Sequence, residues 1–114
     1  MGMFDWYRPT GHLECPICHL PLREWQGKDA ACALFVWKQG VAIPIEQAVD
    51  DDIRARPDVV QSTRLPGAFQ IYSHDCPLHR ITAECQVVSG VWTATRIIEV
   101  FDLRTRKVVD VDVA

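Results

Sequence analysis

No part of this 114-residue chain approaches the roughly 18 consecutive apolar residues of a membrane-spanning helix, so no membrane partner is expected. The start, MGMFDWYRPTGH, lacks the basic segment and apolar run of a secretory signal. Position 6, where a myristoylation signal calls for Ser or Thr, is Trp6. The expected location is therefore cytoplasmic. The chain also lacks a glycine-rich phosphate loop and a Gly-x-Ser-x-Gly nucleophile elbow. Methionine is scarce, with only Met1 and Met3. Basic charge is scarce too: 12 Lys and Arg against 15 Asp and Glu leave a net charge of −3. Nucleic-acid backbones demand a dense basic surface, so a nucleic-acid partner is disfavoured by the bulk charge, although a local patch is compatible with it.

What is present suits a small folded protein. With 48% hydrophobic and 24% charged residues the balance is that of a globular chain, not a disordered one. A single domain over residues 1–114 is expected, small enough for a bound metal to matter to its stability. Five cysteines is an odd number. In a reducing compartment they read as metal ligands or buried thiols before disulfides.

Strand signals dominate. "ACALFVWKQGVAIPI", 31–45, reads as two β-rich runs joined at Lys38-Gln39-Gly40, and "AFQIYS", 68–73, follows a Leu65-Pro66-Gly67 turn signal. The segment "RITAECQVVSGVWTATRIIEVF", 80–101, reads as a hairpin with Ser89-Gly90 at its tip. A plain register sets Ile81, Ala83, Cys85 and Val87 on one face with Trp92, Ala94 and Ile98, and pairs Arg80 with Glu99. Arg96 then falls on the apolar face opposite Ala83, an anomaly that an edge position with a snorkelling guanidinium would explain. A turn around Leu103–Arg106 leads into Lys107–Val111. One helix is expected, Ile45–Arg56, from the four-residue repeat of Ile45, Val49 and Ile53 and the pairs Asp50→Arg54 and Asp52→Arg56. Pro57 would stop it, and Asp50-Asp51-Asp52 reads as its solvated face. The expected fold is mainly β, or a small α+β variant: an antiparallel meander with one short helix, joined to zinc-ribbon-like knuckles.

The chemistry concentrates in two short strings. Cys15-Pro16-Ile17-Cys18 and Cys76-Pro77-Leu78-His79 are both x₂ half-sites with proline in the same place. Two intervening residues let a tight turn aim both donors at one point, and two such knuckles complete a tetrahedral Cys₃His shell, a closed structural Zn²⁺ set. The expected metal ligands are Cys15, Cys18, Cys76 and His79. His74 and His19 are alternative fourth ligands, and iron is an alternative to zinc. Cys85 and Cys32 read as core thiols and His12 as a surface residue. Cys-x-x-Cys-His is also a haem-attachment signature, but that reading needs export and usually a second axial ligand, and neither is indicated. A thioredoxin-like role lacks its βαβ context. A zinc deaminase places its His-x-Glu tens of residues before Pro-Cys-x-x-Cys, whereas His12 and Glu14 abut theirs. No catalytic or cofactor-binding residue beyond the metal set is therefore expected. Trp6, Trp25, Trp37 and Trp92 read as core before they read as a stacking platform.

The knuckles resemble zinc ribbons, with His19 where glycine usually follows the second cysteine. Met-Gly-Met-Phe-Asp, Cys-Pro-x-Cys and "EWQGKDAACAL", 24–34, also resemble small proteins of bacteria and phages that share a Met-Phe-Asp start and a (Phe/Trp)-Gln-x-Lys-Asp stretch. That resemblance covers the first third of the chain and implies no activity. Within it, Gly27-Lys28-Asp29 reads as a turn between strands. The resulting expectation is a non-catalytic structural-zinc module that contacts another protein through a strand edge or hairpin tip. The alternatives are a zinc-ribbon nucleic-acid binder using Arg104, Arg106 and Lys107 with a nearby tryptophan, and a metal- or thiol-dependent enzyme using Cys18 or Cys76.

Overall fold

The computed structural model describes residues 4–29, 35–40, 45–48 and 65–109. Eight strands follow in chain order: β1 Asp5–Arg8, β2 Trp25–Gly27, β3 Phe35–Lys38, β4 Ile45–Ala48, β5 Ala68–Ser73, β6 His79–Val88, β7 Val91–Asp102 and β8 Lys107–Val109. They form one sheet in the order β4-β3-β1-β2-β5-β6-β7-β8. β1 and β3 run parallel, and every other neighbouring pair is antiparallel. The mainly β expectation and the β5–β8 meander are both realised. No helix occurs among the described residues, so none of them forms one long and apolar enough to cross a membrane.

The helix expected over Ile45–Arg56 is not what its first turn forms. Ile45–Ala48 is β4, paired with β3 through Phe35↔Ala48, Val36↔Gln47 and Trp37↔Ile45. A repeat of one apolar residue in four is only a weak prior, and a neighbouring strand offering backbone partners overrides it. Residues 49–56, with Asp50-Asp51-Asp52, lie outside the described residues, as do Cys32 and Pro57. The turn at Gln39-Gly40 is present, with Gly40 at φ 84°.

Alternation along the strands sets the buried face. Phe69, Ile71 and Ser73 of β5 and Ile81, Ala83 and Cys85 of β6 are buried, joined by Tyr7, Trp25 and Trp37 from the first three strands. The sheet curls over this face. Although β3 and β7 are far apart in strand order, Gly40 N donates to Trp92 O (2.8 Å), and the Gln39 side chain joins Thr93 O (3.1 Å) to the Thr95 hydroxyl (2.7 Å). Accumulated strand twist makes such a closure possible. Inside it, Tyr7, Phe69 and Trp92 form an aromatic triangle with centroid separations of 5.2, 5.3 and 6.0 Å.

The plain hairpin register holds only at its tip, where Val88 faces Val91 and Val87 faces Trp92. β7 then carries two extra residues, Thr93 and Ile98, at two β-bulges. The first sets Thr95, not Ala94, opposite Cys85 and Ile97, not Arg96, opposite Ala83. The Arg96 anomaly disappears: Arg96 faces Glu84, an opposite-charge pair outside the core. The two bulges together separate the expected Arg80–Glu99 pair. Thr82 faces Glu99, while Arg80 faces Phe101 with its guanidinium 4.9 Å from the ring centroid.

Gly27 marks a close approach between strands. A Cβ there would lie 2.9 Å from both Gln70 O and Tyr7 Cε2. Gly27→Ala is expected to cost about 1–3 kcal/mol through overpacking, read as a lower denaturant midpoint at constant m-value.

Candidate metal centre

The string around the first knuckle folds as a miniature hairpin. Cys15 N donates to Leu20 O, His19 N to Cys15 O and Leu22 N to Leu13 O, each at 2.9 Å, and Glu14 bridges Pro21. These bonds push Cys15 and Cys18 out at the tip, and the Cys18 amide lies 3.4 Å from Cys15 Sγ. Closing so tight a loop needs a left-handed residue after Cys18, and His19 supplies it at φ 59°. That is the position where ribbons carry glycine, and a side chain there is strained. His19→Gly is expected to stabilise the chain by about 0.5–1 kcal/mol, with a rise in Tm of a few degrees. His19→Ala, which loses the same Glu14 contact but keeps a Cβ, should show no such gain.

The second knuckle, Cys76–Leu78, is the turn between β5 and β6. Leu103 N from the β7–β8 turn donates to Leu78 O at 3.0 Å and braces it from the far side. His79, the first residue of β6, faces Asp102 across the pair with β7. The Asp102 carboxyl is held below its usual range chiefly by the Arg104 amide, then by that of Thr105.

The two knuckles meet. Sγ of Cys15, Cys18 and Cys76 and Nδ1 of His79 all lie within 4.8 Å of one another. Nδ1 is 3.7 Å from Cys15 Sγ, 3.5 Å from Cys18 Sγ and 3.4 Å from Cys76 Sγ. Tetrahedral zinc, with Zn–S near 2.3 Å and Zn–N near 2.0 Å, implies S···N edges of about 3.5 Å. Hydrogen bonding alone cannot account for the arrangement. A ring nitrogen carries one lone pair or one proton, so it satisfies one thiol and not three, whereas a cation at the common centre satisfies all four donors. Cys15 and Cys76 are fully buried, His79 is nearly so, and Cys18 is half-buried.

The thiols differ electrically. Burial opposes ionisation of Cys76, but the His79 contact, the Leu78 amide and the two neighbouring thiols outweigh it and bring its pKa down to about 7. Burial, with the contacts and charges of Cys76 and Cys15, pushes Cys18 up to about 11. One thiolate is thus tolerated and a second is resisted, which is how clustered thiols behave until a cation joins them.

The other candidate ligands stand apart. His74 is exposed and outside the cluster. His19 Nδ1 lies 3.3 Å from Glu14 Oε1, whose other oxygen is 3.7 Å from His12 Nε2; all three side chains are exposed. Cys85 is a buried thiol whose pKa burial raises to about 12. Trp25, Trp37 and Trp92 are fully buried, so no stacking platform forms from them.

One important residue escaped the motif reading. Asp75 Oδ2 accepts the amides of Arg23 (2.6 Å) and Glu24 (2.9 Å), tying the exit of the first knuckle to the residue before Cys76. The only trace in the sequence is an aspartate beside a ligand cysteine, which is too common to signal anything. Its position matters because β2 and β5 pair through a single register position, Gln26↔Tyr72, whereas β5 and β6 pair through six. The cluster and Asp75 therefore sit across the most thinly paired seam of the sheet. Comparison with protein families, with curated proteins and with solved structures gives no match for this chain.

Proposed function

We propose that this protein is a non-catalytic structural-zinc module in which Zn²⁺, held by Cys15, Cys18, Cys76 and His79, staples the β2–β5 seam. The observation that carries this reading is the convergence of three sulfurs and one imidazole nitrogen within 4.8 Å of one another, from knuckles whose outer members are 64 residues apart in the chain. Three thiolates and one imidazole suit borderline-soft, tetrahedral Zn²⁺. Four protein donors complete its shell and leave no position for a substrate, so the metal contributes folding energy and no reaction. The left-handed His19 in the ribbon glycine position supports a zinc-ribbon-type knuckle. The site requires reduced thiols, which accords with a cytoplasmic location.

The work left to such a module is contact with a protein partner, and β8 is the part suited to it. β8 ends the strand order, Val108 is 60% exposed and Leu103 is 44% exposed. Arg104, Arg106 and Lys107 stand beside them, so the fitting partner is an acid-rich extended segment that adds to β8 as a further strand. The metal reading is tested by mass spectrometry of the intact chain combined with cysteine alkylation. One zinc per chain is expected, with Cys15, Cys18 and Cys76 resisting alkylation until a chelator is added. Metal-free protein that melts identically with and without chelator would overturn it.

A further inference from the structure

Beside the first knuckle, on the face of the sheet turned away from the core, lies a cavity of about 310 Å³ whose lining includes Trp6, Arg8, Arg23, Glu24 and Val36. A second cavity of about 290 Å³ shares Arg8 and Arg23 with it and adds His12. The first, an open groove, lies at the lower end of the size range for small-molecule sites.

Three features of this groove are unused by the metal centre. Trp6 differs from the other tryptophans. Trp25, Trp37 and Trp92 are fully buried and donate their indole N–H to Leu22 O, Asp5 Oδ2, and Ala94 O with the Thr95 hydroxyl. Trp6 is half-buried, is set edge-on to Phe4 at 5.0 Å and 78°, and its indole N–H has no partner among the described residues. Arg23 is exposed, and its guanidinium has no carboxylate partner among the described residues, yet its backbone is pinned by Asp75 at 2.6 Å. Among the described residues the lining also carries Arg8 and Arg23 and one carboxylate, Glu24.

We propose that this groove binds a nucleotide unit, with its planar base against the Trp6 ring and its phosphate between Arg8 and Arg23. An indole face is a base-stacking surface, and two guanidinium groups favour a phosphate through charge-assisted, forked hydrogen bonds. Fixing the Arg23 backbone to Asp75 limits the ordering cost of binding. The unit can arrive as a free mononucleotide or as part of a single strand.

Calorimetric titration of the full-length protein at low salt tests this with three probes: adenosine monophosphate, a short oligothymidylate and inorganic phosphate. Saturable binding of the mononucleotide or of the oligonucleotide supports the proposal, and which of them binds tighter identifies the source. Arg23→Gln is expected to weaken binding about tenfold or more without changing metal content or Tm. Trp6→Leu should remove the accompanying quench of tryptophan fluorescence, and Arg104→Gln, in the β7–β8 turn, should leave affinity unchanged. The proposal is overturned if neither nucleotide probe binds saturably, if inorganic phosphate binds as tightly as they do, or if the loss follows Arg104 instead of Arg23.

Discussion

Serine in place of Cys76 is expected to abolish stoichiometric metal binding and the cooperative melting transition together. Cys76 Sγ is fully buried and is the sulfur nearest His79 Nδ1, at 3.4 Å. A serine hydroxyl is shorter and stays protonated at neutral pH, so it neither reaches nor balances the cation. Apparent zinc affinities in knuckle peptides are about 10–16 kcal/mol, while a domain of this size is stable by only about 5–15 kcal/mol in all. Losing the metal therefore removes an amount comparable to the whole stability. The loss falls on the β2–β5 seam, whose backbone pairing is one register position, reinforced by Asp75 at one end and by Asp29, which accepts the Gln70 amide at 2.9 Å, at the other. Circular dichroism melting and metal analysis of the same sample give the readout. The control is Cys85→Ala, a buried thiol outside the cluster, which should keep its metal and lose only about 1 kcal/mol. A Cys76→Ser protein that kept its metal and melted like the parent would refute the stapled seam.

The second large effect belongs to Trp92. Its ring packs edge-on against Phe69 at 5.3 Å and Tyr7 at 6.0 Å, which bridges the meander to the first strand. Its carbonyl accepts the Gly40 amide at 2.8 Å, so the same residue ties β7 to the β3–β4 turn. Trp92→Ala is expected to cost about 3–5 kcal/mol, or roughly 15–30 °C in Tm at the usual conversion for a domain near this size. Trp92→Phe keeps an aromatic edge but gives up the indole N–H bonds to Ala94 O and the Thr95 hydroxyl, so a clearly smaller loss is expected. Both are read from urea unfolding at constant m-value. A Trp92→Ala loss below about 1 kcal/mol would mean that the curled sheet is closed by something other than this aromatic triangle.

The donors were legible because their chemistry is local. A spacing of two residues constrains a turn whatever surrounds it, and proline in the same place in both strings makes the repetition visible. The strands from Ala68 onward were legible for a similar reason, since alternation survives in any sheet with one buried face. The face assignments in β7 were not. Arg96 looked misplaced only because an unbroken register was assumed, and the bulges at Thr93 and Ile98 leave no local signature. Ile45–Ala48 failed in the opposite sense: a helical repeat was present, but β3 offered the partners that decided it.

By itself, then, the sequence determined the class of fold, the two Cys-Pro turns and the donor types that point to a metal. These depend on side-chain identity within a few residues, and local sterics and ligand chemistry act at that range. Tertiary structure alone decided that His79 Nδ1, and neither His74 nor His19, meets the three sulfurs. It also decided that Asp75 reinforces the same seam, and that Trp6 remains half-exposed beside Arg23 while the other three tryptophans are enclosed. Each of these outcomes depends on pairing between strands distant in the chain and on how far the sheet curls, and no short stretch of residues encodes either.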